Sequence, residues 1–248
     1  IDDAAGTMSN FTFTGNTITG NGEYGIYVLN YGATSDFTFT GNTITGNTEN
    51  GIYVHNYADG DISDFTFTGN TITGNNYTGI YAQNHGHMSD FTFTGNTITG
   101  NNSGGDGYGG IHFYLDEDWG TFSRFTFTNN TVTENSEYGI KVENTAAGTI
   151  SDFTFTGNTV ADNILYGVYL LNPVGTMSLI NFGDGLAGGN NSIYGNNGGL
   201  GHAQINNVSG EVVRAENNWW GTAAPTDADV FEAAGDDVDY IPFLTSRP

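Results

Sequence analysis

Apolar and polar residues alternate along three short stretches of this chain, and the three stretches recur together as a unit. In the first complete unit they are "FTFT" (residues 11–14), "TIT" (17–19) and "GIYV" (25–28). Alternation with a period of two is typical of β-strands that bury one face. Glycine and asparagine separate the stretches, so the pattern predicts three short strands joined by tight corners.

The unit is repeated along most of the chain. Its first phenylalanine is Phe11, Phe37, Phe65, Phe91, Phe125 or Phe153. Spacings of 26 to 34 residues suit one turn of a solenoid and are too short for a propeller blade. Similar units must stack on similar units. The sequence therefore predicts an all-β fold, a single parallel β-solenoid of about eight coils with three short strands per coil.

The period of two also predicts which side chains face the interior. In the first unit these are Phe11, Phe13, Ile18, Ile26 and Val28. The threonines and Tyr27 between them point outward, and later units repeat the assignment. Each inward side chain should therefore lie about 4.8 Å from its equivalent in the next coil.

Asparagine recurs at the corners in three columns. The first two columns are Asn16, Asn42, Asn70, Asn96, Asn130 and Asn158, and Asn21, Asn47, Asn75, Asn101, Asn135 and Asn163. The third is Asn30, Asn56, Asn84, Asn144 and Asn172, with Leu115 interrupting it. Asparagine tolerates left-handed backbone angles, and its amide both donates and accepts. We therefore predict stacked amide ladders with a structural role.

Units of the form "NTITGN" and "YGIYV" are followed by "ENNWWGTAAP" (216–225) and "VDYIPFL" (238–244). Over residues 9–244 this pattern resembles the right-handed parallel β-helix repeat proteins, a broad family of secreted and cell-surface solenoids related in fold to pectate lyases. The resemblance implies a single right-handed parallel β-helix and export from the cell. We divide the chain into an N-terminal segment (1–8), repeats (9–215) and a C-terminal cap segment (216–248).

Composition restricts the partners. Four lysines and arginines stand against 27 aspartates and glutamates, a net charge of −23. Nucleic acid and anionic membranes are therefore poor partners, and cations are better ones. Cysteine is absent, which excludes disulfides and thiolate metal sites. No apolar run is long enough to insert into a membrane, and "IDDAAGTMSN" lacks signal-peptide features, so we expect a processed, extracellular or cell-surface chain.

Threonine forms uniform columns on the predicted outer surface. On the phenylalanine strands they begin with Thr12, Thr38, Thr66 and Thr92, and with Thr14, Thr40, Thr68 and Thr94. Threonine is β-branched and is a good outward strand residue. Alternatively, these eight threonines bind a ligand, because such arrays resemble the ice-binding faces of solenoid antifreeze proteins. Threonines on a second face and flanking acidic residues count against ice.

The third strand carries a different outward column. Its members are Tyr27, Tyr53, Tyr81, His112, Lys141 and Tyr169. We predict an exposed aromatic ladder whose four tyrosines stack on the sugar rings of a polysaccharide or dock against a protein. Equally, the rings can simply stack on one another along the sheet.

Acidic residues supply candidate calcium ligands. Asp36, Asp64, Asp90 and Asp152 precede the phenylalanine strand in successive units, with Arg124 between the last two. Carboxylates stacked about 5 Å apart repel one another unless they are solvated, paired or bridged, for example by Ca²⁺. The candidate ligands are Asp36, Asp64, Asp90, Asp116 and Asp118.

Catalysis would need a basic residue beside clustered carboxylates. An insertion in the fourth unit carries Asp106, Asp116, Glu117 and Asp118, which we expect to lie near His112 and Lys141. Loops rich in glycine and aspartate are more often solvated than catalytic. We therefore expect a non-enzymatic protein and keep a calcium-dependent polysaccharide lyase as an alternative.

The two ends differ in bulk. The residues before the first unit have no helical pattern, whereas the tryptophans and prolines near the C-terminus are typical of a cap. An uncovered sheet edge invites another chain. We expect a structural or adhesive protein that assembles end to end into a filament or surface layer. A ligand-binding solenoid, specific for ice or polysaccharide, is the alternative.

Overall fold

The chain folds into a stack of coils in a computed structural model. The structure describes residues 2–3, 6–57, 60–105, 108–184, 189–196, 204–230 and 238–248. Each coil contributes a strand to each of three sheets, called A, B and C here, and all strand pairs are parallel. The predicted all-β solenoid of about eight coils with three strands per coil is confirmed.

The elements follow in chain order. Up to the fourth coil they are β1 (Asp2–Asp3), β2 (Thr7–Ser9), β3 (Thr12–Thr14), β4 (Thr17–Thr19), β5 (Ile26–Asn30), β6 (Ala33–Thr40), β7 (Thr43–Thr45), β8 (Ile52–Asn56), β9 (Asp61–Thr68), β10 (Thr71–Thr73), β11 (Ile80–Asn84), β12 (His87–Ser89), β13 (Thr92–Thr94), β14 (Thr97–Thr99) and β15 (Ile111–Leu115). The later ones are β16 (Thr121–Thr128), β17 (Thr131–Thr133), β18 (Ile140–Asn144), β19 (Thr149–Thr156), β20 (Thr159–Ala161), β21 (Val168–Leu171), β22 (Thr176–Gly183), β23 (Ser192–Tyr194), β24 (Ile205–Val208), β25 (Val213–Ala215), α1 (Asp227–Val230) and β26 (Val238–Asp239).

The three sheets run the length of the stack. Coil 1 consists of β2–β5, coil 2 of β6–β8, coil 3 of β9–β11, coil 4 of β12–β15, coil 5 of β16–β18, coil 6 of β19–β21 and coil 7 of β22–β24, and coil 8 begins with β25. Sheet A contains β1, β5, β8, β11, β15, β18, β21 and β24. Sheet C contains β4, β7, β10, β14, β17, β20 and β23. The remaining strands form sheet B.

Stacked phenylalanine rings form the core behind sheet B. Phe39, Phe67, Phe93 and Phe127 lie directly above one another, with ring centroids 4.7 Å apart and planes within 3° of parallel. All four rings are buried. The predicted inward assignment is confirmed for these positions, but Phe11 in coil 1 is 38 % exposed. The difference arises because no described coil covers Phe11 on its outer side.

A further column of buried side chains lies on the strands of sheet B, three residues before the first phenylalanine of each unit or its equivalent. Its members are Met8, Thr34, Ile62, Met88, Phe122, Ile150 and Met177. Counting back from Phe65 with a period of two would turn Ile62 outward. Asp64, however, has a φ of 58°, and one left-handed residue shifts the alternation by one position. Ile62 and Phe65 therefore both face the core, which the sequence pattern did not predict.

The three asparagine ladders are confirmed. In the first, the side-chain Nδ2 and backbone N–H of Asn42 donate to Asn70 Oδ1 at 2.9 and 3.0 Å, and Nδ2 also donates to the Phe13 carbonyl. The same bonds recur from coil to coil, and in each of them the asparagine of one coil donates to the asparagine of the next coil. In the third ladder Leu115 leaves a gap, and Asn84 Nδ2 donates to the carbonyls of Gly86 and Thr121 instead.

The residues after β25 close the far end of the stack. Trp220, Val230 and Tyr240 are buried there, and the Tyr240 hydroxyl donates to Asp227 Oδ1 at 2.8 Å. The first ladder ends at Asn218, whose Nδ2 donates to the carbonyls of Ala215 and Glu216 in its own coil and of Phe182 in the preceding coil. The ladder thus ends on backbone groups of the chain itself, within the segment (216–248) for which a cap stays a prediction.

Candidate functional site

The threonine columns of sheets B and C are in register. Thr38 pairs with Thr66 and Thr40 with Thr68, and Thr43 pairs with Thr71 on sheet C. These side chains face outward and are exposed or half-buried. The predicted orientation is thus confirmed, while ligand binding by Thr12, Thr14, Thr38, Thr40, Thr66, Thr68, Thr92 and Thr94 stays a prediction.

The tyrosine column of sheet A is stacked but is less exposed than predicted. Ring centroids of Tyr27 and Tyr53, of Tyr53 and Tyr81, and of Tyr81 and His112 lie 4.9 to 5.0 Å apart with planes within 16° of parallel. Tyr53 is 9 % exposed and His112 only 1 %. The prediction of an exposed ladder is wrong for these two residues, because a second layer of side chains covers much of the column.

Tyrosines at the corner before sheet A form this second layer. Tyr24, Tyr138 and Tyr166 each precede the glycine that lies immediately before a sheet A strand. The Tyr24 ring lies 5.0 and 5.3 Å from those of Tyr27 and Tyr53. Tyr138 and Tyr166 stack on Tyr169. Our sequence reasoning missed these residues, although the dipeptide Tyr-Gly at equivalent positions of three units marks them.

The second layer is interrupted in coils 2 and 3. There Asn50 and Thr78 occupy the corner position, and the next ring of this layer is Tyr108, which the insertion of coil 4 supplies. The gap is a groove of about 350 Å³, called the tyrosine groove here. It is lined by Tyr24, Glu49, Asn50, Tyr53, Tyr77, Tyr81 and Tyr108.

Three phenols of the tyrosine groove, those of Tyr24, Tyr53 and Tyr81, have raised pKa values and stay neutral over the physiological pH range. Burial raises the pKa of Tyr53 and of Tyr81 well above the usual value for tyrosine. Burial and a hydrogen bond to Glu49 raise the pKa of Tyr24 in the same direction. The groove therefore combines neutral aromatic rings with one carboxylate.

His112, Lys141 and Glu143 form a buried cluster beside the groove. Glu143 Oε2 lies 2.7 Å from Lys141 Nζ and 3.1 Å from His112 Nε2. Burial lowers the pKa of His112 to about 4. Burial alone would raise the pKa of Glu143, but the bonds from His112 and Lys141 outweigh it and lower that pKa to about 2. The cluster is a neutral histidine beside a closed ion pair.

Of the acidic residues in the coil 4 insertion, Asp116 and Asp118 have partners other than His112 and Lys141. Asp116 Oδ1 lies 3.1 Å from His85 Nε2, and Asp118 Oδ1 accepts the backbone N–H of Ala147 at 3.0 Å. His112 and Lys141 bind Glu143 instead. The insertion supplies Tyr108 to this region, and Asp106 lies outside the described residues.

The aspartate column is held by neighbouring side chains. Ser35 and Ser63 donate to Asp36 and Asp64 at 2.8 Å. Arg124 forms two 2.7 Å bonds to Asp90, and these bonds hold the pKa of Asp90 below its usual range. In the part of the chain that the structure describes, no three histidines, cysteines or acidic residues form a group that could hold a metal ion.

A larger open groove of about 700 Å³ lies beside sheet B near the C-terminal end. Asp152, Glu211, Arg214 and Asp239 are among its lining residues. No aromatic side chain lines it, and it contains one member each of the aspartate and threonine columns, Asp152 and Thr154. The tyrosine groove is therefore the stronger candidate for a binding site.

Among the described residues, no helix has the length and apolar character that crossing a membrane requires.

Comparisons with known proteins identify the fold family. A search among curated proteins finds no match to the chain. The sequence profile described as "Right handed beta helix region" matches residues 4–182. That family includes pectate-lyase-like enzymes and non-enzymes, so membership leaves catalysis open. The chain belongs to the right-handed β-helix family, as its repeats predicted.

Proposed function

We propose that this protein is a non-enzymatic structural and adhesive solenoid that acts outside the cell and binds its target through sheet A. The stack of coils supplies a rigid support, because ring columns and amide ladders connect each coil to the next. The resemblance to secreted and cell-surface solenoids supports the location.

The tyrosine groove carries the proposal. Elsewhere on sheet A, tyrosines at the corner cover the column beneath them, whereas in coils 2 and 3 the corner residues Asn50 and Thr78 carry no ring. Tyr53 and Tyr81 line the groove there with their edges, because their faces stack along the column. Concave sites lined by aromatic rings with a few polar groups are typical ligand sites. Rigid aromatic side chains also lose little conformational entropy on binding, so the groove is suited to adhesion.

The state of the titratable groups near the groove supports a non-catalytic role. His112 is 1 % exposed, and Lys141 is paired with Glu143. A general acid or base must reach the proton that it transfers. None of these three side chains lines the tyrosine groove.

A variant that fills the groove tests the proposal. Asn50→Tyr places a ring where coils 1, 5 and 6 carry one, at a residue that lines the groove. Thr66→Tyr adds the same ring to sheet B as a control. We expect beads coated with the wild type or the control to adhere to at least one defined polysaccharide surface, and Asn50→Tyr beads to detach. Equal adhesion of all three proteins, or none, would contradict the proposal.

A second candidate function, self-association through coil 1, rests on a separate observation. Phe11 is 38 % exposed, whereas its stacking partner Phe37 is fully buried. In the described residues the first two ladders begin at Asn16 and Asn21, which donate to the next coil. Their side-chain oxygens can accept bonds from a strand of a second copy.

Sedimentation velocity of this chain over a wide concentration range tests the second candidate. We expect dimers or filaments for the wild type, and monomers for Phe11→Asp, which places a charge on the exposed edge. Thr156→Asp, on an outward position of coil 6, is the control and should associate like the wild type. A wild type that stays monomeric with and without Ca²⁺ would contradict this function.

A further inference from the structure

We propose that the open groove of about 700 Å³ beside sheet B binds an extended basic peptide of a partner protein as an added strand. Residues 178–181 of β22, together with Glu211, Val212 and Arg214 in or just before β25, form most of its lining, and it is called the sheet B groove here. The inference goes beyond the proposed binding role of sheet A, since it concerns a second surface and another class of partner. An incomplete strand pairing, two exposed apolar side chains and the charge of the lining support it.

The strand β22 is paired along its length on one side only. On the side of coil 6 it pairs with β19 from Thr176 onward. On the side of coil 8 its register with β25 begins at Asn181, which lies opposite Arg214. Among the described residues, 176–180 therefore have no partner strand on that side. An uncovered strand edge accepts an extended peptide through its main-chain hydrogen-bonding groups.

The chain leading into coil 8 is too short to cover this edge. Asn207 Nδ2 donates to the Glu211 carbonyl at 2.9 Å, as Asn144 Nδ2 donates to the Gly148 carbonyl at 2.8 Å. From that carbonyl to the residue that pairs with Asn181, the chain advances six residues in coil 6 (148 to 154) but only three in coil 8 (211 to 214). Coil 8 thus lacks about three residues of strand, or about 10 Å at 3.3 Å per residue.

The bond that an added strand would restore is seen in an earlier coil. The backbone N–H of Asp90 donates to the carbonyl of Ser123 in the next coil at 3.1 Å. Leu179 occupies the position of Asp90 in coil 7, and no described residue of coil 8 pairs with its two neighbours in β22. A carbonyl of a bound peptide can take the place of the missing serine carbonyl.

Two apolar side chains stand at the surface of the groove. Leu179 is 61 % exposed and Val212 is 55 % exposed. The φ of Leu179 is 54°, a left-handed conformation that aspartate, asparagine or glycine adopts at lower cost, and aspartate holds this position in coils 2, 3, 4 and 6. An exposed leucine in this conformation contributes little to folding, whereas it adds apolar contact area for a partner.

The charge of the lining selects a basic partner. The carboxylates of Asp152, Asp184, Glu211 and Asp239 line the groove against one guanidinium, that of Arg214. A second copy of the chain, with its net charge of −23, is repelled from such an edge, whereas lysine and arginine are attracted. Successive side chains of an extended peptide point to opposite sides. We therefore expect a segment in which basic and aliphatic residues alternate, so that one set meets the carboxylates and the other the apolar pair.

Fluorescence anisotropy of the full chain with labelled peptides tests the inference. The probes are KVKVK and RVRVR, and the acidic peptide EVEVE is the control for charge. We expect at least one basic probe to bind with a Kd of about 0.1 mM or tighter and EVEVE to bind at least about tenfold more weakly. Two N-methylated forms of the basic probe, one modified at the valine nitrogens and one at the basic residues, test strand pairing. Because alternate N–H groups face β22, only one form should lose affinity, by at least about tenfold.

Matched variants locate the site. Glu211→Gln should weaken binding of the basic probe about threefold, whereas Asp64→Asn, in the aspartate column but outside the groove, should bind like the wild type. Leu179→Asn keeps a residue that tolerates the left-handed conformation but removes the apolar contact, and we expect a loss of about threefold. Inserting Ser-Asp-Phe between Val213 and Arg214 gives coil 8 the strand length of coil 6 and should abolish binding. If this insertion prevents folding, the two substitutions still test the site.

Three results would each overturn the inference. The first is a failure of both basic probes to bind at 1 mM, or equal binding of the basic and acidic probes. The second is an equal effect of the two N-methylated forms, which would show that the peptide does not extend the sheet. The third is an equal effect of Glu211→Gln and Asp64→Asn. None of these results bears on adhesion through the tyrosine groove, so the two proposals stand or fall separately.

Discussion

Sheets B and C differ from sheet A in how far their outer surfaces follow the repeat. On sheets B and C the same threonine positions recur from coil to coil, in register over coils 1 to 5. On sheet A the outward column changes from tyrosine to histidine to lysine, and the layer above it is interrupted. Inside, all three sheets carry regular buried columns. The repeated residues therefore form the core, whereas the outer side chains that change from coil to coil lie on sheet A.

The largest expected effect tests the shared core. Phe93 is buried and stacks on Phe67 and Phe127, so Phe93→Ala should reduce the free energy of unfolding by about 3 to 5 kcal/mol by leaving a cavity. Phe11→Ala is the matched control, and it should cost less because that ring is already 38 % exposed. Urea denaturation measures both. A loss below about 1 kcal/mol for Phe93→Ala would contradict the role of the ring column.

The amide ladders should be nearly as sensitive. Asn70→Ala removes the acceptor for Asn42 and the donor to Asn96 and to the Phe39 carbonyl, leaving several buried polar groups unpaired. We expect a loss of about 2 to 4 kcal/mol, since each such group costs about 1 to 3 kcal/mol. Asn16→Ala, at the beginning of the same ladder, should cost about half as much. Equal losses in urea denaturation would show that the ladder does not act from coil to coil.

The pH dependence of the free energy of unfolding should reveal the buried histidine of sheet A, His112. The pKa of His112 is about 4 in the folded protein, whereas the usual value for histidine, 6.5, applies to the unfolded chain. Between these two pH values the unfolded chain therefore binds a proton at His112 and the folded chain does not. Stability is therefore lost as the pH falls from about 6.5 towards 4. His112→Gln keeps an N–H donor for Glu143 and does not titrate. Between pH 7 and 4.5 the wild type should lose about 2 kcal/mol more than the variant. Parallel pH profiles would contradict a buried neutral His112.

The smallest effect is expected on the threonine face. Thr94→Ala changes an outward, half-buried side chain next to Phe93, and it should alter the free energy of unfolding by less than about 0.5 kcal/mol. The measurement is the same urea denaturation as for Phe93→Ala. A loss above about 1 kcal/mol would mean that the outer threonine rows also hold the coils together.

The sequence predicted the features that repeat strictly. Phe39, Phe67 and Phe93 lie inward, and the asparagine ladders form, because an in-register stack places equal residues on equal residues. The column containing Ile62 was missed because one left-handed residue, Asp64, shifts the alternation. A pattern of period two carries no sign of such a shift unless the turn residue is recognised.

The outer surface of sheet A, the proposed binding surface, was predictable only in part. Tyr53 and Tyr81 were placed correctly on the outer side of sheet A. The side chains that cover Tyr53 and Tyr81 were not predicted. Tyr24 contacts the column from a corner, and Tyr108 contacts it from an insertion that the other units lack. The burial of His112 and Lys141 has the same cause. Contacts across coils of unequal length depend on backbone paths that periodicity does not specify.

The most direct test of the account follows the tyrosine rings and the threonine methyl groups by NMR in one titration with a soluble fragment of the polysaccharide that retains the wild type. The account predicts that resonances of the groove tyrosines Tyr24, Tyr53, Tyr77, Tyr81 and Tyr108 shift together with a single Kd, while the threonine methyls of sheets B and C stay in place. Shifts of the threonine methyls, or equal shifts of Tyr31 and Tyr57 outside the groove, would contradict the claim that specific binding lies where sheet A departs from the repeat.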